Sequence, residues 1–312
     1  MLIRNVLVLG GSGFLGRHVA EQLAKRATQV RVPTRNRERA KELILLPTVD
    51  VVQADVLDPD TLDGLIGTAD AVINLVGILH GDFQRVHVEL PRRIVEACRR
   101  HGVRRLVHVS ALAADPAAPS LYLRSKGEAE RLLRAAQSDE FQTTILRPSV
   151  IFGREDAFLN LFAWLARRLP LVVLACPGAR FQPVYVEDAA RAIVASLRNL
   201  QTFGQCYDLC GPRVYTLRQL VEYVVRTAGL RRPVLGLGAS LSMLQAAVLE
   251  HLPGKLMTRD NVRSMSVDNV CGCDFPAVFG FAPTPLEAVA PLYIAGATPR
   301  ARYNWFRFRA RR

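Results

Sequence analysis

The stretch Ile3-Arg4-Asn5-Val6-Leu7-Val8-Leu9-Gly10-Gly11-Ser12-Gly13-Phe14-Leu15-Gly16 decides the fold. The aliphatic run over Ile3–Leu9 predicts a first strand, with both faces buried as in a parallel sheet. A helical pattern follows from about residue 14, and glycines at 10, 13 and 16 lie at the junction. A dinucleotide pyrophosphate seated at such a junction needs a tight turn, a close backbone approach and a helix N-terminus that offers free N–H groups and positive dipole. Gly10, Gly13 and Gly16 meet those needs in that order, because a β-carbon at any of them would block the turn or the approach. Ser12 and Phe14 line the same loop. A glycine pattern alone is weak; a strand before it and a helix after it make the context specific. This is read as a nucleotide site.

Working outward, further strands are predicted over Gln29–Pro33, Val49–Ala54, Ala71–Leu75, Arg105–Val109 and Thr143–Leu146. Helical segments lie between them at about 14–27, 36–45, 59–66, 84–101 and 120–137. Strands separated by helices make a doubly wound parallel sheet of the Rossmann type, an α/β fold. After about residue 150 the rhythm breaks, with Pro148, Gly153, Pro170, Pro177, Gly178 and Pro183 in quick succession. A helix at Glu187–Leu197 and a strand at Cys206–Leu209 return to the first layer. The expected organisation is a nucleotide-binding domain over 1–150 and 181–210, and a smaller, sequence-interleaved C-terminal lobe over 151–180 and 211–297. A basic aromatic tail occupies 298–312.

The second strand decides between the two nicotinamide dinucleotides. An acidic residue at its end would accept from a ribose 2′-hydroxyl, but Thr34-Arg35-Asn36-Arg37 has no carboxylate before Glu38. Thr34 and Arg35 suit a 2′-phosphate, so NADP(H) is preferred, with NAD(H) as the alternative. Ligands in open parallel sheets collect at the carboxyl ends of strands. That rule places Asp55 and Val56 after the third strand, and Asn74, Val76 and Gly77 after the fourth, beside the adenosine half.

Ser110 ends the fifth strand, and Tyr122-Leu123-Arg124-Ser125-Lys126 opens the next helix. Tyrosine and lysine at i and i+4 share one helical face. An ammonium beside the phenol is expected to lower its pKa and make Tyr122 a proton donor or acceptor. Lys126 also suits ribose hydroxyls, and Ser110 suits a substrate oxygen.

These motifs together resemble the extended, epimerase-like branch of the short-chain dehydrogenase/reductase superfamily. Within it, Tyr122 to Lys126 and the run Arg147-Pro148-Ser149-Val150-Ile151-Phe152-Gly153-Arg154-Glu155-Asp156-Ala157-Phe158-Leu159-Asn160 resemble the nucleotide-binding accessory subunit of respiratory complex I and its bacterial relatives. The resemblance implies that Pro148 flanks the nicotinamide and that Gln182–Ile193 leads back into the nucleotide domain. It also implies two functions: NADPH held as a structural cofactor by a protein docked on complex I, or an oxidoreductase, epimerase or dehydratase using Ser110, Tyr122 and Lys126. The Ser-to-Tyr interval is short beside that of sugar-nucleotide epimerases, which favours the first.

Composition bounds the rest. Half of the 312 residues are hydrophobic and 22% are charged, which excludes disorder and coiled coil for the whole chain. A net charge of +13 calls for an anionic partner. Pro299–Arg312 carries six arginines and four aromatics with no acid, which suits a membrane headgroup layer, a protein partner, or a frayed tail. No nucleic-acid recognition module is present. The N-terminus runs straight into the strand without a signal-peptide h-region, so the expected location is cytoplasmic; the resemblance to the complex I subunit implies a peripheral position at the inner face of the respiratory membrane. The apolar stretch Leu235–Leu252 is read chiefly as a buried helix, with Met243, Leu244, Ala247 and Val248 at core spacing, and otherwise as an interfacial segment. Six cysteines are too sparse for a disulfide scaffold and are read as reduced thiols. The histidines show no metal spacing, and no metal is expected.

Overall fold

The computed structural model describes residues 3–252 and 256–295, together with Tyr303 and Ala310. The main strands are β1 (Asn5–Leu9), β2 (Gln29–Thr34), β3 (Val49–Gln53), β4 (Ala71–Asn74), β5 (Arg105–Val109) and β6 (Gln142–Pro148). Short strands follow: β7 (Ile151–Phe152), β8 (Val172–Leu174), β9 (Arg180–Phe181) and β10 (Val184–Tyr185). Then come β11 (Cys206–Leu209), β12 (Tyr215–Thr216) and β13 (Val234–Gly236). The helices in the first half are α1 (Phe14–Ala24), α2 (Lys41–Ile44), α3 (Pro59–Ile66), α4 (Leu90–Arg100) and α5 (Leu121–Ala135). Later come α6 (Phe158–Arg168), α7 (Val186–Ser196), α8 (Leu217–Thr227), α9 (Ala239–Leu249), α10 (Arg259–Ser264), α11 (Leu286–Val289) and α12 (Pro291–Ile294).

Seven strands form one parallel sheet in the order β11-β6-β5-β4-β1-β2-β3. Strand β1 shows why its sequence is aliphatic throughout. Val6 and Val8 join one core with Val19, Ala20 and Leu23 of α1 and Ile193 of α7, while Leu7 and Leu9 join another with Leu62 and Ile66 of α3 and Ile94 of α4. Helices therefore cover both faces, and the fold is the doubly wound α/β arrangement. The order reverses between β1 and β4, which opens a crevice beyond their carboxyl ends.

A third core lies off the sheet. It gathers Phe152, Leu159, Ala163, Val172 and Phe181 with Leu220 and Val224 of α8 and with Leu286 and Ile294. Its contributors come from both sides of the return through α7 and β11. Phe275, Phe279 and Phe281, by contrast, pack back on the sheet's own core.

Two expectations are corrected. Helix α9 buries Ser242 and Ala246, not the set chosen by spacing. Of the residues chosen by spacing, Met243 and Ala247 are half-buried while Leu244 is 61% and Val248 58% exposed; the buried side of the helix is the one from which the Ser242 hydroxyl accepts Cys176 N–H at 3.1 Å. The six cysteines are not all free thiols either. Cys210, just after β11, forms a disulfide with Cys271, 61 residues later, a pairing invisible in local spacing. The basic tail lies outside the described residues, apart from Tyr303 and Ala310.

Candidate functional site

The glycine loop turns sharply between β1 and α1. Gly10 adopts φ +78°, and a β-carbon there would meet the Leu75 carbonyl carbon at 3.0 Å. At Gly16 a β-carbon would stand 2.4 Å from the Gly10 carbonyl oxygen. Gly13 caps α1 without any side-chain hydrogen bond, so the backbone N–H groups of the first turn face the crevice for a ligand. Ser12 is half-buried and Gly13 exposed. A further glycine, Gly153, has the Phe14 ring 3.1 Å from where its β-carbon would be. The cradle fits a dinucleotide pyrophosphate: its backbone is approachable only because side chains are missing.

Along the carboxyl edge, Asn74 is buried. Its Oδ1 accepts from Val76 N–H at 3.1 Å, and its amide nitrogen lies 3.1 Å from His108 Nδ1. That bond holds the backbone of Val76 and Gly77 beside the glycine turn. Asp55 is exposed and accepts from Leu57 N–H at 3.0 Å, with Val56 half-buried inside the same turn. At the end of β2, Thr34 is buried and its hydroxyl donates to the Asn36 carbonyl at 3.1 Å. Arg35 is exposed, and no ion pair engages it among the described residues.

Lys126 and Ser110 lie together at the other end of the crevice, with Tyr122 one turn before Lys126 on α5. Lys126 is buried and donates to the Val109 carbonyl at 3.2 Å. Burial pulls its pKa down to about 8, against the opposing pull of Glu130. Gly77 passes over this amine, since its β-carbon would lie 3.4 Å from Lys126 Nζ. Ser110 is only 4% exposed and its hydroxyl has no partner, an orphan that a ligand oxygen would satisfy. Pro148 is buried and its carbonyl accepts from Leu112 N–H at 3.1 Å. The expected activation of the tyrosine is not found. Burial pushes Tyr122 up to about 12, the reverse of what a neighbouring ammonium would do.

Several residues at this end escaped sequence reasoning. His87 lies on a π-helical turn, Gln84–Glu89, that leads into α4. It stacks on Phe83 and meets the Tyr122 ring edge-on. Its Nε2 accepts from Ile78 N–H at 3.0 Å, which makes Nδ1 the donor to Ser125 Oγ at 2.9 Å. Burial and Lys126 lower its pKa to about 3, so it is neutral. Asp260, from α10, accepts from Leu121 N–H at 2.8 Å and Tyr122 N–H at 3.1 Å. Ser120 takes Leu123 N–H at 3.2 Å. The first turn of the Tyr–Lys helix is thus capped by a residue 138 positions away in sequence. The Thr258–Asn261 capping box announces α10 itself, but nothing local announces its target.

The run Phe152 to Asn160 closes on itself. Buried Asp156 accepts from Gly153 N–H at 3.1 Å, Leu159 N–H at 2.5 Å and Tyr293 O–H at 2.9 Å. Asn160 returns a bond to the Arg154 carbonyl at 3.2 Å. This block fixes Gly153 against Phe14 and so joins the cradle to the third core. Separately, His18, Glu21 and Glu187 bring ligand-type atoms within 4.8 Å of one another. Ordinary bonds account for them: His18 Nδ1 to Glu187 at 2.6 Å, and Lys25 to Glu21 at 2.9 Å.

Comparison with known proteins agrees with this geometry. The description of the NAD dependent epimerase/dehydratase family matches residues 6–210. The chain is 33% identical over 298 residues to NADH dehydrogenase (ubiquinone) 1 alpha subcomplex subunit 9, mitochondrial, of Mus musculus, covering 90% of this chain and 77% of that protein. It is 35% identical over 198 residues to the ceramide reductase of Caulobacter vibrioides, covering 62% of this chain and 61% of that one. An NADPH-dependent quinone oxidoreductase of Escherichia coli, solved with NADPH, shares the fold with a TM-score of 0.73 at 22% identity, over 92% of this chain and 99% of its own. The chain belongs to the NAD dependent epimerase/dehydratase family, whose fold binds nicotinamide dinucleotides.

Proposed function

We propose that the chain is an NADP(H)-binding protein that holds its nucleotide as a structural cofactor and docks on respiratory complex I at the membrane surface. Gly10, Ser12, Gly13, Phe14 and Gly16 hold the pyrophosphate, and Thr34 with Arg35 hold the 2′-phosphate. Asp55, Val56, Asn74, Val76 and Gly77 flank the adenosine half. Tyr122, Lys126 and Pro148 flank the nicotinamide half. The nucleotide domain is 1–150 with 181–210; the docking lobe is 151–180 with 211–297.

The observation that carries docking is the outer face of α9. Leu241 is 55%, Leu244 61% and Val248 58% exposed, and Leu252 continues the stripe one turn on. Leu235 and Val173, register partners on β13 and β8, are exposed nearby. An apolar stripe left uncovered on a chain of net charge +13 suits a partner surface that is apolar with an anionic rim. No helix among the described residues is long and apolar enough to cross a membrane. The likeness to the mouse complex I subunit over 90% of the chain supports the same reading.

A second reading is favoured by one observation: Ser110, Tyr122 and Lys126 are all present at the same end of the crevice. A bound nicotinamide would supply hydride transfer there, and this chain's residues would position a carbonyl oxygen and hold a proton at Tyr122. Two measurements decide. Tagged chain is expected to co-purify with complex I from mild-detergent membranes and to bind NADPH at least tenfold more tightly than NADH. Recovery as a soluble enzyme whose steady NADPH oxidation is lost in Tyr122→Phe would replace docking with catalysis. Equal affinity for NADH would remove the role given to Thr34 and Arg35.

A further inference from the structure

The disulfide joins two parts of the molecule that the sequence separates. Cys210 is buried at the carboxyl end of β11, on the edge of the main sheet. Cys271 is half-buried and lies in the segment after α10, followed by exposed Gly272 and Cys273. Between the two cysteines run β12, α8, β13, α9 and α10, which include the uncovered apolar stripe and Asp260. The bridge therefore closes a loop that carries the cap of the Tyr–Lys helix.

Packing around the bridge is tight. A β-carbon on Gly211 would stand 2.0 Å from the Pro183 carbonyl oxygen. Gln182 Nε2 donates to the Gly211 carbonyl at 2.7 Å, and its Oε1 accepts from Cys271 N–H at 3.0 Å. Two residues before Cys271, Asn269 Oδ1 accepts from Ser149 O–H at 2.5 Å and from Val150 N–H at 3.1 Å. These bonds hold the segment at the end of β6 whether or not the sulfurs are joined. Opening the bridge leaves a folded protein in which the 211–270 loop has lost its covalent tie.

We infer that Cys210–Cys271 is a reversible thiol–disulfide exchange site that sets how firmly the second lobe grips the Tyr–Lys helix. One disulfide beside four free cysteines, Cys98, Cys176, Cys206 and Cys273, is not a scaffold of the kind that small secreted domains use. Cys271 is the less buried of the two residues, and Cys210 is the buried leaving group. A dithiol reductant opens it in two steps. Its first thiolate attacks Cys271 Sγ, forming a mixed disulfide and breaking the Sγ–Sγ bond; Cys210 leaves as the thiolate and takes up a proton. The second thiol then attacks the reductant's own sulfur, releasing Cys271 and closing the reductant's disulfide. The protein disulfide gains two electrons and the dithiol loses them. In the closed form Asp260 is held against Leu121 and Tyr122; in the open form that contact breaks more often, because the loop's entropy is no longer restrained.

Peptide mapping of air-oxidised, alkylated full-length chain tests the bond, and hydrogen–deuterium exchange tests its consequence. The expected map joins Cys210 to Cys271 and leaves four alkylated thiols. Dithiothreitol is expected to accelerate exchange at Leu121 and Tyr122 by about tenfold, to leave β1 unchanged, and to be reversed by oxidised glutathione. A Cys210→Ser, Cys271→Ser variant should show the fast exchange without reductant. A fully reduced chain in air, or a Cys271–Cys273 bridge instead, would overturn the site; a correct map with redox-independent exchange would overturn the grip. Neither readout involves nucleotide, so either failure leaves the dinucleotide reading where it was.

Discussion

The two ends of the crevice are built in opposite ways. At the phosphate end, what matters lies between Val8 and Gly16, and the turn closes through its own backbone, with Gly13 N–H bonded to the Gly10 carbonyl at 3.0 Å. At the Tyr–Lys end, Ser110 follows β5, Tyr122 and Lys126 come from α5, His87 from the turn before α4, and Asp260 from α10. The first end is a local shape, set by the absence of side chains. The second is a convergence, set by buried polar groups that must find distant partners. A local shape fails when one atom is added; a convergence fails by degrees.

The sharpest break is therefore at Gly16. Gly16→Ala puts a methyl 2.4 Å from the Gly10 carbonyl oxygen, and the obstructing atom is backbone that cannot step aside. Dinucleotide affinity is expected to fall by at least about 100-fold, near 3 kcal/mol. Gly64→Ala, where a β-carbon meets nothing within 4 Å, should bind normally. Titration of NADPH fluorescence reads both. Native affinity in Gly16→Ala would mean that the turn is not the cradle.

The Tyr–Lys end is exposed by pH. Burial and Lys126 hold His87 at about 3 in the folded chain, below the ordinary 6.5 of a histidine, and His108 is likewise lowered well below that value, chiefly by burial. Between pH 6.5 and 3 the unfolded chain binds a proton that folded His87 does not, so stability is lost as pH falls across that range, by about 1.4 kcal/mol per pH unit from His87, with His108 acting in the same direction. Lys126 acts at the alkaline side. Its folded value of about 8 lies below 10.5, so at this amine the unfolded chain again holds the extra proton, and the contribution of Lys126 to stability rises with pH from 8 to 10.5. Urea titrations across pH should show the acid limb directly and the alkaline rise as the difference between wild type and Lys126→Met, because Cys98 and Tyr122, both raised by burial to about 12, pull the other way above about pH 9. A wild-type minus Lys126→Met difference that stays flat from pH 8 to 10.5 would mean that the amine is solvated, not buried.

How much of this was legible follows the same division. Strands β1 to β6 and the return through α7 and β11 were readable because aliphatic runs and 3.6-residue periods are local facts. Gly10, Gly13 and Gly16 were readable for the same reason. Helix α9 was misjudged because periodicity says that a face is apolar and not whether anything covers it. The Cys210–Cys271 pair was unreadable because it spans 61 residues. His87 could not be found from sequence, since nothing in Gln84–Glu89 announces a π turn or its stacking on Phe83. Tyr122 was placed rightly on the helix, yet its pKa was expected to move the wrong way, because spacing reports the nearby charge and not the desolvation.

Asp260 offers the smallest effect and the most selective test of the convergence. Its carboxylate takes two of the N–H groups that α5 leaves without intrahelical partners, while Ser120 takes a third. Asp260→Ala should cost about 1 kcal/mol, the usual worth of a helix cap, and lower Tm by about 1–2 °C in a chain of this size. Ser120→Ala should cost a similar amount by freeing Leu123 instead. The two differ in reach. Removing Ser120 frays the helix from within its own turn, whereas removing Asp260 also releases α10, so exchange should quicken at Val262 and Arg263 as well as at Leu121 and Tyr122. If Asp260→Ala quickened exchange only at α5, the second lobe would be held independently of the Tyr–Lys helix, and the two ends of the crevice would be alike in being local after all.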